Sequence, residues 1–566
     1  MNIETEEKIN CWLKEPFDID TQEQVKALIA LSPKELEDSF YTDLSFGTGG
    51  LRGLMGVGTN RMNRYTIRKT TQGLANYLKK ECPSKGLSVV IGFDNRLHSE
   101  EFAKEACSTL LQNGIDVFFC EKLRPTPYVS FACRYCKADA AIMITASHNP
   151  KEYNGYKVYW QDGAQVVSPH DDGILQEIHK LKDFSVQTNS HPGTLHPLDE
   201  KIDEAYLSAL HPLQNFPEEN KMFGKDLSIV YTSLHGTGIT LAPKALADWG
   251  FSSLFLVTKQ VIIDGNFPTI AFPNPERLEA LAEGLALLKS SSSDLLLATD
   301  PDADRLGVAV SHKGKSIVLT GNEIASICSE YLCRVHKDIK NPAIITTIVS
   351  TDLIRSICKA HEVPCFDVLT GFKYIGEKIH LWEQDPKAPS FLFGAEESYG
   401  YLYGTHSRDK DGIVSCCLIA EIALYYKRQG KTLIDFLHEI YQKQGVFKET
   451  TCSIDFPPGK EGAEAILNLM DHLRDHPPLS LCNLQVVQKE DYLQIEKTNL
   501  PKSDVLLFRL EDGSKLIIRP SGTEPKLKIY ISTKVPIQLN VEEAISTSEL
   551  KLQMLSKKIT QEILAL

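Results

Sequence analysis

Two short segments of this 566-residue chain carry the residue types that phosphoryl transfer needs. Ser147 offers a hydroxyl nucleophile in the sequence Thr-Ala-Ser-His-Asn-Pro, directly after the apolar residues 140–144. Asp300, Asp302 and Asp304 follow a second apolar stretch and offer carboxylate oxygens for a hard cation. A phosphoserine would hold the transferable group, and a divalent ion would neutralise the charge that develops on it. The pairing predicts metal-assisted phosphoryl transfer.

The spacing of the three acids indicates how they would bind a metal. Residues at i, i+2 and i+4 of an extended chain point the same way, so we expect the three carboxylates on one side. An oxygen-only ligand set selects Mg²⁺ or another hard ion. A calcium-binding EF-hand loop does not fit, because it needs Gly and Glu where Arg305 and Ser311 stand. The alternative interpretation is a solvated acidic turn.

Ser147 on its own is open to two interpretations. The sequence Ser-His-Asn-Pro is also typical of a plain turn in which the hydroxyl bonds locally. A hydrolase nucleophile elbow does not fit, because its glycines would replace Thr145 and Asn149. Lys157 follows after a short loop and adds a cation. Together with the acidic segment, this neighbourhood favours the nucleophile.

Two further loops have groups suited to a phosphorylated sugar. Residues 519–526, Arg-Pro-Ser-Gly-Thr-Glu-Pro-Lys, combine a forked guanidinium, two hydroxyls and a glycine, which are the parts of a phosphate cradle. Residues 394–400, Gly-Ala-Glu-Glu-Ser-Tyr-Gly, offer carboxylate and hydroxyl groups for sugar hydroxyls. The alternatives are a Pro/Gly turn for the first loop and a capped helix start for the second.

The elements that must position these loops follow a βαβ pattern. Apolar residues 87–92 precede a helix start at Ser99, and apolar residues 115–119 come next. This alternation predicts α/β domains with mixed or largely parallel sheets. The glycines near residue 50 miss the dinucleotide-binding spacing, and Gly314 lacks an upstream Walker glycine. The sequence therefore supports neither NAD nor P-loop nucleotide binding.

Composition and charge limit the class of partner. The 42% hydrophobic content is typical of a soluble globular protein, and the formal net charge of −13 argues against a nucleic-acid surface. The motif loops nevertheless carry cations that would focus positive potential on an anionic small molecule: Arg52, Lys157, Arg305, Lys373, Lys410 and Arg519.

The termini and the cysteines bear on localisation. The first residues are acidic where a secretory signal would be basic, and no apolar run approaches the roughly 20 residues of a membrane span. We therefore expect a cytoplasmic protein without a membrane partner. The 14 cysteines are scattered, which favours reduced thiols. Cys133 and Cys136 form a single C-x-x-C pair, which is weak support for zinc or redox chemistry.

Taken in order, the motifs resemble those of the α-D-phosphohexomutases, the family that includes phosphoglucomutase and phosphomannomutase. The similar segments span nearly the whole chain and are residues 46–53 (Phe-Gly-Thr-Gly-Gly-Leu-Arg-Gly), the Ser147 loop, the Asp300 loop, residues 370–373 (Thr-Gly-Phe-Lys), the Glu396 loop and the Arg519 loop. Residues 145–160 and 408–412 (Arg-Asp-Lys-Asp-Gly) look most like the longer phosphoglucomutase and phosphopentomutase branch.

The resemblance implies an α/β fold of four domains, with three related mixed α/β domains and a smaller C-terminal α+β domain around a central cleft. We place α/β domain I with the phosphoserine loop at 1–212 and α/β domain II with the metal-binding loop at 213–318. We place α/β domain III with the sugar-binding loop at 319–448 and the C-terminal domain IV with the phosphate-binding loop at 449–566.

The resemblance also implies a role for each matching residue. Ser147 matches the residue that cycles between phosphorylated and free forms, and the implied Mg²⁺ ligands are Ser147, Asp300, Asp302 and Asp304. The implied catalytic residues are Ser147, His148, Arg52, Lys157 and Lys410. The implied substrate-binding residues are Arg305, Lys373, Glu396, Ser398, Arg519, Ser521, Gly522 and Thr523. Among these, Glu396 and Ser398 would contact sugar hydroxyls, and the loop from Arg519 would grip the phosphate that is not transferred.

One departure from the family pattern concerns the proton carrier. Many relatives have His four residues after the sugar-binding Glu, and this chain has Gly400 there. Arg52 is a poor proton carrier because a guanidinium hardly deprotonates. We therefore predict that Lys157 or Lys410, with a pKa lowered by burial or by neighbours, is the general acid/base.

The predicted activity is that of an intramolecular phosphotransferase, an isomerase of carbohydrate metabolism. It would interconvert a sugar 1-phosphate and a sugar 6-phosphate, with glucose favoured, through phosphoserine and a sugar 1,6-bisphosphate intermediate and activator. The alternatives are phosphomannomutase, phosphopentomutase, an enzyme with an aspartyl nucleophile at Asp300, and a catalytically silent sugar-phosphate sensor. The preferred sugar, the oligomeric state and the phosphorylation level of Ser147 stay open.

Overall fold

The computed structural model describes residues 3–44, 46–47, 50–83, 86–182, 184–457, 460–521 and 526–564. The chain forms two compact units. The first unit consists of Met1–Leu319, Phe372–Ala388 and Tyr399–Tyr425, and the second consists of Thr320–Gly371, Pro389–Ser398 and Tyr426–Leu566. Helices and strands alternate through both units, which confirms the predicted mixed α/β class.

The first stretch of the chain forms an α/β layer with an N-terminal group of helices. Its elements are α1 Ile3–Trp12, α2 Ile19–Leu31, α3 Pro33–Phe40, β1 Phe46–Gly47, β2 Gly50–Leu54, α4 Arg64–Glu81, β3 Ser88–Phe93, α5 Ser99–Gln112, β4 Asp116–Cys120, α6 Thr126–Tyr135, β5 Ala140–Ile144, β6 Tyr153–Trp160, α7 His170–Lys180, β7 Leu195–Leu198, α8 Glu200–Leu210 and a 3-10 turn at His211–Leu213. The strand order is β1-β2-β6-β5-β3-β4-β7.

Strand β5 lies in the middle of this sheet. It pairs in parallel with β3 and antiparallel with β6, and all five of its residues are buried. A run of Ala, Ile and Met fits this position because a central strand covered on both faces needs apolar side chains throughout. Ile142 and Ile144 belong to the core that also contains Leu74 of α4. The carboxyl end of β5 is therefore a fixed starting point for the loop that follows it.

The second stretch forms a smaller mixed sheet in the same unit. Its elements are α9 Pro217–Phe223, a 3-10 turn at Gly224–Asp226, β8 Ile229–Thr232, a 3-10 turn at Thr237–Thr240, α10 Ala242–Asp248, β9 Leu254–Leu256, α11 Leu278–Ser290, β10 Leu295–Thr299, β11 Leu306–His312 and β12 Lys315–Leu319. The order is β12-β11-β10-β8-β9, with β10 parallel to β8 and antiparallel to β11. Strand β10 is wholly buried and carries the acidic segment at its carboxyl end.

The third stretch contributes to both units. Its elements are α12 Gly321–Val335, β13 Pro342–Thr347, α13 Asp352–Ala360, β14 Cys365–Val368, α14 Phe372–Gln384, β15 Ser390–Glu396, β16 Gly400–Tyr403, α15 Gly412–Lys427 and α16 Leu433–Gln444. In the second unit, β13 pairs in parallel with β14 and with β15. Helix α12 begins with a capping box, in which Thr320 and Glu323 bond each other's backbone N–H groups.

The last stretch forms an antiparallel sheet with helices, as predicted for the C-terminal domain. Its elements are β17 Val446–Asp455, α17 Lys460–Asp475, β18 Ser480–Leu481, β19 Leu484–Asp491, α18 Ile495–Thr498, β20 Leu506–Leu510, β21 Lys515–Pro520, β22 Lys526–Val535 and α19 Val541–Leu564. The order is β17-β22-β21-β20-β19-β18. Leu516 and Ile518 of β21 pack in its core, so the strand that leads to Arg519 is firmly held.

The structure also bears on the state of the cysteines and on membrane-spanning helices. The 14 cysteines all lie among the described residues, and all are free thiols. No helix within the described ranges has the length and apolar character that crossing a membrane requires.

Candidate active site

The Ser147 loop begins where β5 ends. Ser147 is 2% exposed and its φ is +50°, in the left-handed region that non-glycine residues rarely adopt. Its backbone N–H donates a 2.8 Å hydrogen bond to Oγ1 of Thr145. The loop is a turn, as the alternative interpretation held, and it presents the serine in a fixed, strained conformation of a kind found at functional sites.

The hydroxyl of Ser147 meets the acidic segment. Its Oγ donates a 2.6 Å hydrogen bond to Oδ2 of Asp300 and lies 3.2 Å from Nδ1 of His148. The two loops that sequence analysis paired are thus in direct contact, although 153 residues separate Ser147 from Asp300.

The acidic segment is a turn, so the predicted extended geometry is wrong. Ala303 has a φ of +52°, and its N–H donates to the carbonyl oxygen of Asp300. The turn still brings one carboxylate oxygen of each of Asp300, Asp302 and Asp304 within 4.8 Å of the others. Since Asp300 and Asp302 are 0% exposed and Asp304 is 2% exposed, the alternative of a solvated acidic turn is also wrong.

The carboxylates have unfilled hydrogen-bonding capacity that fits a cation. Oδ1 of Asp302 and Oδ1 of Asp304 are buried and accept no hydrogen bond from any residue that the structure describes. Burial and the two neighbouring carboxylates raise the pKa of Asp300 well above its ordinary value. Buried carboxylate oxygens without donors are costly unless a cation joins them. The donor set consists of oxygens alone, which suits Mg²⁺.

Lys157 contacts the same carboxylates. Its Nζ, on the buried strand β6, donates to Oδ2 of Asp302 at 2.9 Å and to Oδ2 of Asp304 at 3.1 Å. Burial alone would lower the pKa of Lys157, but the two carboxylates outweigh it and raise that pKa. The lowered pKa expected for Lys157 from the sequence is therefore wrong, because the sequence did not reveal that the lysine lies on the acids themselves.

Lys410 approaches from the segment that precedes α15. Its Nζ lies 3.3 Å from Oδ2 of Asp304 and 3.1 Å from Oδ1 of Asp409. The side chain runs over Gly400, where an added Cβ would come within 2.1 Å of Cδ of Lys410. The glycine that stands in place of the family's histidine therefore makes room for the lysine stem.

Two further predicted residues, Arg52 and His148, lie near the serine. Nη1 of Arg52 donates a 3.0 Å bond to Oδ1 of Asn149. Burial, and then Arg305 and Arg52, lower the pKa of His148 well below its usual value, so the imidazole is neutral at physiological pH. Burial lowers the pKa of Arg52, while the carboxylate of Asp302 opposes that change.

Two predicted substrate-binding cations in the first unit have acidic partners. Nη1 of Arg305 donates to Oε1 of Glu276 at 2.8 Å, and its Nε lies 3.8 Å from Oδ1 of Asp304. Lys373, near the start of α14, donates from Nζ to Oδ2 of Asp171 at 3.2 Å. Arg305 therefore lies beside the acidic loop.

The remaining predicted residues belong to the second unit. Glu396 ends β15 and its Oε1 accepts from the N–H of Gly371 at 2.9 Å, while Ser398 lies in the turn after it, so this segment is not a capped helix start. Arg519 lies near the end of β21, and the N–H of Ser521 donates to the carbonyl oxygen of Lys526. Gly522 and Thr523 lie outside the described residues.

Sequence analysis missed residues that hold the two loops. Arg96, which follows β3, donates to carbonyl oxygens of the Ser147 loop. Oγ1 of Thr126 donates to Oδ2 of Asp302 at 2.7 Å. The N–H and Oγ1 of Thr237 both donate to the carbonyl of Pro301, beside Gly236, where a Cβ would lie 2.2 Å from Cα of Pro301. For Arg96 and Thr237, the polar residues that follow the buried parallel strands β3 and β8 mark the region, but the sequence does not show the contacts themselves.

The domains of one family match most of the chain. They are the phosphoglucomutase/phosphomannomutase alpha/beta/alpha domain I over residues 43–184, alpha/beta/alpha domain II over 204–314, alpha/beta/alpha domain III over 320–444 and the C-terminal domain over 481–535.

Similar proteins and a similar structure agree with this match. The chain is 38% identical over 516 residues to a phosphoglucomutase of Staphylococcus haemolyticus, which covers 88% of this chain and 92% of that protein. It is 36% identical over 520 residues to a phosphoglucomutase of Staphylococcus aureus, covering 89% and 92%. The crystal structure of the open form of parafusin, a phosphoglucomutase from Paramecium, has a TM-score of 0.69 at 19% identity and covers 92% of this chain and 96% of that one.

Proposed function

Since the chain belongs to the phosphoglucomutase/phosphomannomutase family and is a sugar-phosphate mutase, we propose that it interconverts glucose 1-phosphate and glucose 6-phosphate through phosphorylated Ser147. The single observation that carries this proposal is the 2.6 Å hydrogen bond between Oγ of Ser147 and Oδ2 of Asp300. It supports the proposal because it joins the serine hydroxyl, the proposed nucleophile, to a buried group of carboxylates that could hold a divalent ion. A plain turn would have no reason to bury three carboxylates beside the serine.

The first half-reaction transfers the phosphoryl group from phosphoserine to the sugar. The bond between phosphorus and Oγ of Ser147 breaks, and a bond forms between phosphorus and the free sugar hydroxyl. The hydroxyl proton passes to a base of the enzyme. The leaving Oγ of Ser147 takes up a proton, so the products are a sugar 1,6-bisphosphate and a free serine, whose hydroxyl donates a hydrogen bond to Oδ2 of Asp300.

The second half-reaction restores the phosphoserine. The bisphosphate presents its other phosphate, the bond between that phosphorus and the sugar oxygen breaks, and the bond to Oγ of Ser147 forms again. The sugar oxygen takes up a proton, and the serine hydroxyl loses one. Sugar 1,6-bisphosphate is therefore both intermediate and activator in this proposal, because it can phosphorylate an enzyme that has lost its phosphate.

A cation is part of the proposed chemistry. Asp300, Asp302 and Asp304, together with a phosphoserine oxygen, would hold Mg²⁺, which neutralises charge on the transferred phosphoryl group when bound. The chain's own cations contribute to the same end. Lys157 keeps its proton beside the carboxylates, and neutral His148 can donate or accept one hydrogen bond at the serine.

We assign the proton transfer to Lys410 in preference to Lys157. Lys157 contacts two carboxylates, and these raise its pKa, which makes it a reluctant proton donor. Lys410 also contacts two carboxylates, those of Asp304 and Asp409, and what favours it is its position over Gly400, where many relatives carry a histidine. Replacing Lys410 with Met should remove turnover while the phosphoserine persists, since the stem that packs on Gly400 is retained.

We assign recognition of the sugar to the loops of the second unit. Glu396 and Ser398 offer acceptors and donors for sugar hydroxyls, and Arg519 offers a forked donor pair for the phosphate that is not transferred. Ser521, Gly522 and Thr523 complete that loop in the proposal. In the first unit, Arg52, Arg305 and Lys373 supply positive charge for an anionic substrate.

We also retain the division into domains at 1–212, 213–318, 319–448 and 449–566 and a cytoplasmic location as proposals. The match to domain II begins at residue 204, earlier than the proposed boundary. The free thiols are typical of a reducing compartment.

The test of this function is turnover of a substrate panel by the parent enzyme and by Ser147→Ala, with the exposed Ser190→Ala as control. We expect the parent to convert glucose 1-phosphate faster than mannose 1-phosphate, ribose 1-phosphate or deoxyribose 1-phosphate. We expect Ser147→Ala to lose turnover on every sugar with an unchanged melting temperature. Preference for another sugar would overturn the glucose assignment, and turnover by Ser147→Ala would overturn the serine mechanism.

A further inference from the structure

Arg96 is a buried arginine that lies outside the motifs found in the sequence. It follows β3, its side chain is 0% exposed, and its charge faces Asp94 with 3.7 Å between Nε and Oδ2. Burial lowers its pKa to about 10, with Asp94 acting against that change, so the guanidinium keeps its charge at physiological pH. Burying a cation costs free energy of desolvation, so its interactions in the folded protein must offset that cost.

The two Nη groups of the guanidinium donate hydrogen bonds to the loop that carries Ser147. Nη1 donates to the carbonyl oxygen of Pro150 at 2.8 Å and to that of Tyr153 at 3.1 Å. Nη2 donates to the carbonyl oxygen of Ser147 at 2.5 Å and also to that of Asn149. Each Nη carries two protons, so all four protons of the fork are used on four carbonyl oxygens. These carbonyls span the loop from the nucleophile to the start of β6.

The neighbours of Arg96 hold the arginine itself in place. Its N–H donates to Oδ1 of Asp94 at 3.0 Å, and the N–H of Asp94 donates to the carbonyl oxygen of Ile144, the last residue of β5. The ring of Phe267 lies 5.2 Å from the guanidinium carbon. Arg96 is thus fixed to the same strand end from which the Ser147 loop leaves.

The conformation of Ser147 explains why such a device is needed. A φ of +50° costs a serine free energy that the surroundings must offset, and a loop left to itself would relax. Relaxation would move Oγ from its 2.6 Å contact with Asp300. A displacement of about 1 Å in a reacting group can cost about a hundredfold in rate.

We propose that Arg96 is a positioning residue for phosphoryl transfer, which holds Ser147 in its strained conformation through four backbone carbonyls. Arg96 does not touch the reacting atoms. It contributes through its geometry and not through its charge, because the planar fork reaches four acceptors that the single nitrogen of a lysine cannot reach together. The inference rests on the proposed function, because the loop matters only where Ser147 accepts phosphate.

The test compares Arg96→Lys with Arg61→Lys in the full-length enzyme. Arg61 is a matched control, because it too is a buried arginine that donates to backbone carbonyls, those of Asp38 and Asn60, and pairs with the Asp38 carboxylate. The measurements are kcat and KM for glucose 1-phosphate and peptide-resolved hydrogen exchange across residues 145–153.

We expect Arg96→Lys to lower kcat about 10- to 100-fold with KM within about twofold of the parent, and to speed exchange in residues 145–153 alone. Arg61→Lys should leave both the rate and that segment unchanged. Should Arg96→Lys fail to fold, Phe267→Leu loosens the same arginine and should speed exchange in the segment with a kcat loss of about threefold.

The inference is overturned if Arg96→Lys, or Phe267→Leu in its place, keeps parental kcat or parental exchange across 145–153. It is also overturned if Arg61→Lys reproduces the effect, because any buried arginine would then serve. A parent enzyme that turns over without phosphate on Ser147 would instead contradict the proposed function, and the exchange result would still report whether Arg96 holds the loop.

Discussion

Two charge clusters, one buried in the first unit and one partly buried in the second, are built on opposite principles. In the first unit, Asp300, Asp302 and Asp304 lie together, and two of their oxygens accept no hydrogen bond from the described residues. In the second unit, a single carboxylate meets a surplus of donors. Oδ1 of Asp352 accepts from Lys515 and Arg355 at 2.8 and 2.9 Å, and Oδ2 accepts from Arg509 at 2.8 Å.

The difference separates a site for chemistry from a joint that stabilises the fold. The cations around Asp352 lower the pKa of that carboxyl below its usual range, although burial alone would raise it. Burial and like charges raise the pKa of Asp300. A satisfied cluster contributes to stability, whereas an unsatisfied one gives up stability to bind something else.

The largest expected effect is a loss of activity. We expect it when the first cluster is changed and not when the second is. Asp302→Asn removes an anionic ligand of the divalent ion, so we expect a deficit of about 3 kcal/mol in transition-state stabilisation, a rate loss above about a hundredfold. The melting temperature should fall only modestly, because buried Lys157 loses one of its two carboxylate partners while Asp300 and Asp304 lose a neighbouring like charge. Steady-state kinetics with Mg²⁺ and calorimetry check this. Full activity of Asp302→Asn in excess chelator would show that the reaction does not need a bound metal.

The second prediction is a loss of stability, which we expect when the second cluster is changed. Asp352→Asn removes the carboxylate that Lys515, Arg355 and Arg509 share. Arg355 keeps its contact with Asp367, so we expect a loss of about 2 kcal/mol in the free energy of unfolding. Turnover should change far less than in Asp302→Asn. Because the pKa of Asp352 is lower in the folded state, its contribution is present above about pH 4 and is lost as the pH falls below that value.

Denaturant unfolding between pH 3 and pH 7 checks both parts. The stability advantage of the parent over Asp352→Asn should shrink towards the acid end. The control is Asp455→Asn, whose carboxylate is 75% exposed. An advantage that does not change with pH would mean that Asp352 does not stabilise the fold through its charge.

A smaller effect is expected at the phosphate loop. Arg519→Lys keeps the charge and loses the fork, so we expect KM for glucose 1-phosphate to rise about tenfold with phosphoserine reactivity retained. The variant should also release more sugar bisphosphate into solution, since the same loop must recapture the intermediate. Unchanged KM together with unchanged release would reduce the Arg519 loop to an ordinary turn.

The smallest effect is expected at the cysteine pair. Burial raises the pKa of Cys136 to about 11, and Sγ of Cys133 donates to the carbonyl oxygen of Trp160, so both are inert structural thiols. Cys136→Ser should keep activity and change the unfolding free energy by no more than about 0.5 kcal/mol. Loss of bound zinc or of activity in that variant would reveal a site that this account lacks.

The sequence was most informative where a buried strand leads into a polar loop. The apolar runs before Ser147 and Asp300 form β5 and β10, the run before Arg519 forms the first part of β21, and the predicted helix start at Ser99 begins α5. Apolar runs of this length can be read because burial on both faces leaves little choice of residue.

The sequence was least informative about contacts between distant segments. The turn at Ala303 depends on a left-handed residue that need not be glycine, so the three acids were expected in an extended chain. The pKa of Lys157 was expected to fall because its contact with Asp302, 145 residues away, cannot be seen in the chain. Arg96 was missed for the same reason, since its acceptors are backbone carbonyls, which carry no side-chain signature.

The most direct test of the central claim is to locate the phosphate on the enzyme. The parent protein, incubated with glucose 1,6-bisphosphate and Mg²⁺ and digested under mild conditions that preserve acyl phosphates, should yield one phosphopeptide. Mass spectrometry should place a single phosphate on Ser147, and the addition of glucose 6-phosphate should remove it at a rate no slower than turnover. Phosphate on Asp300, or steady turnover with no phosphorylated enzyme, would contradict the account.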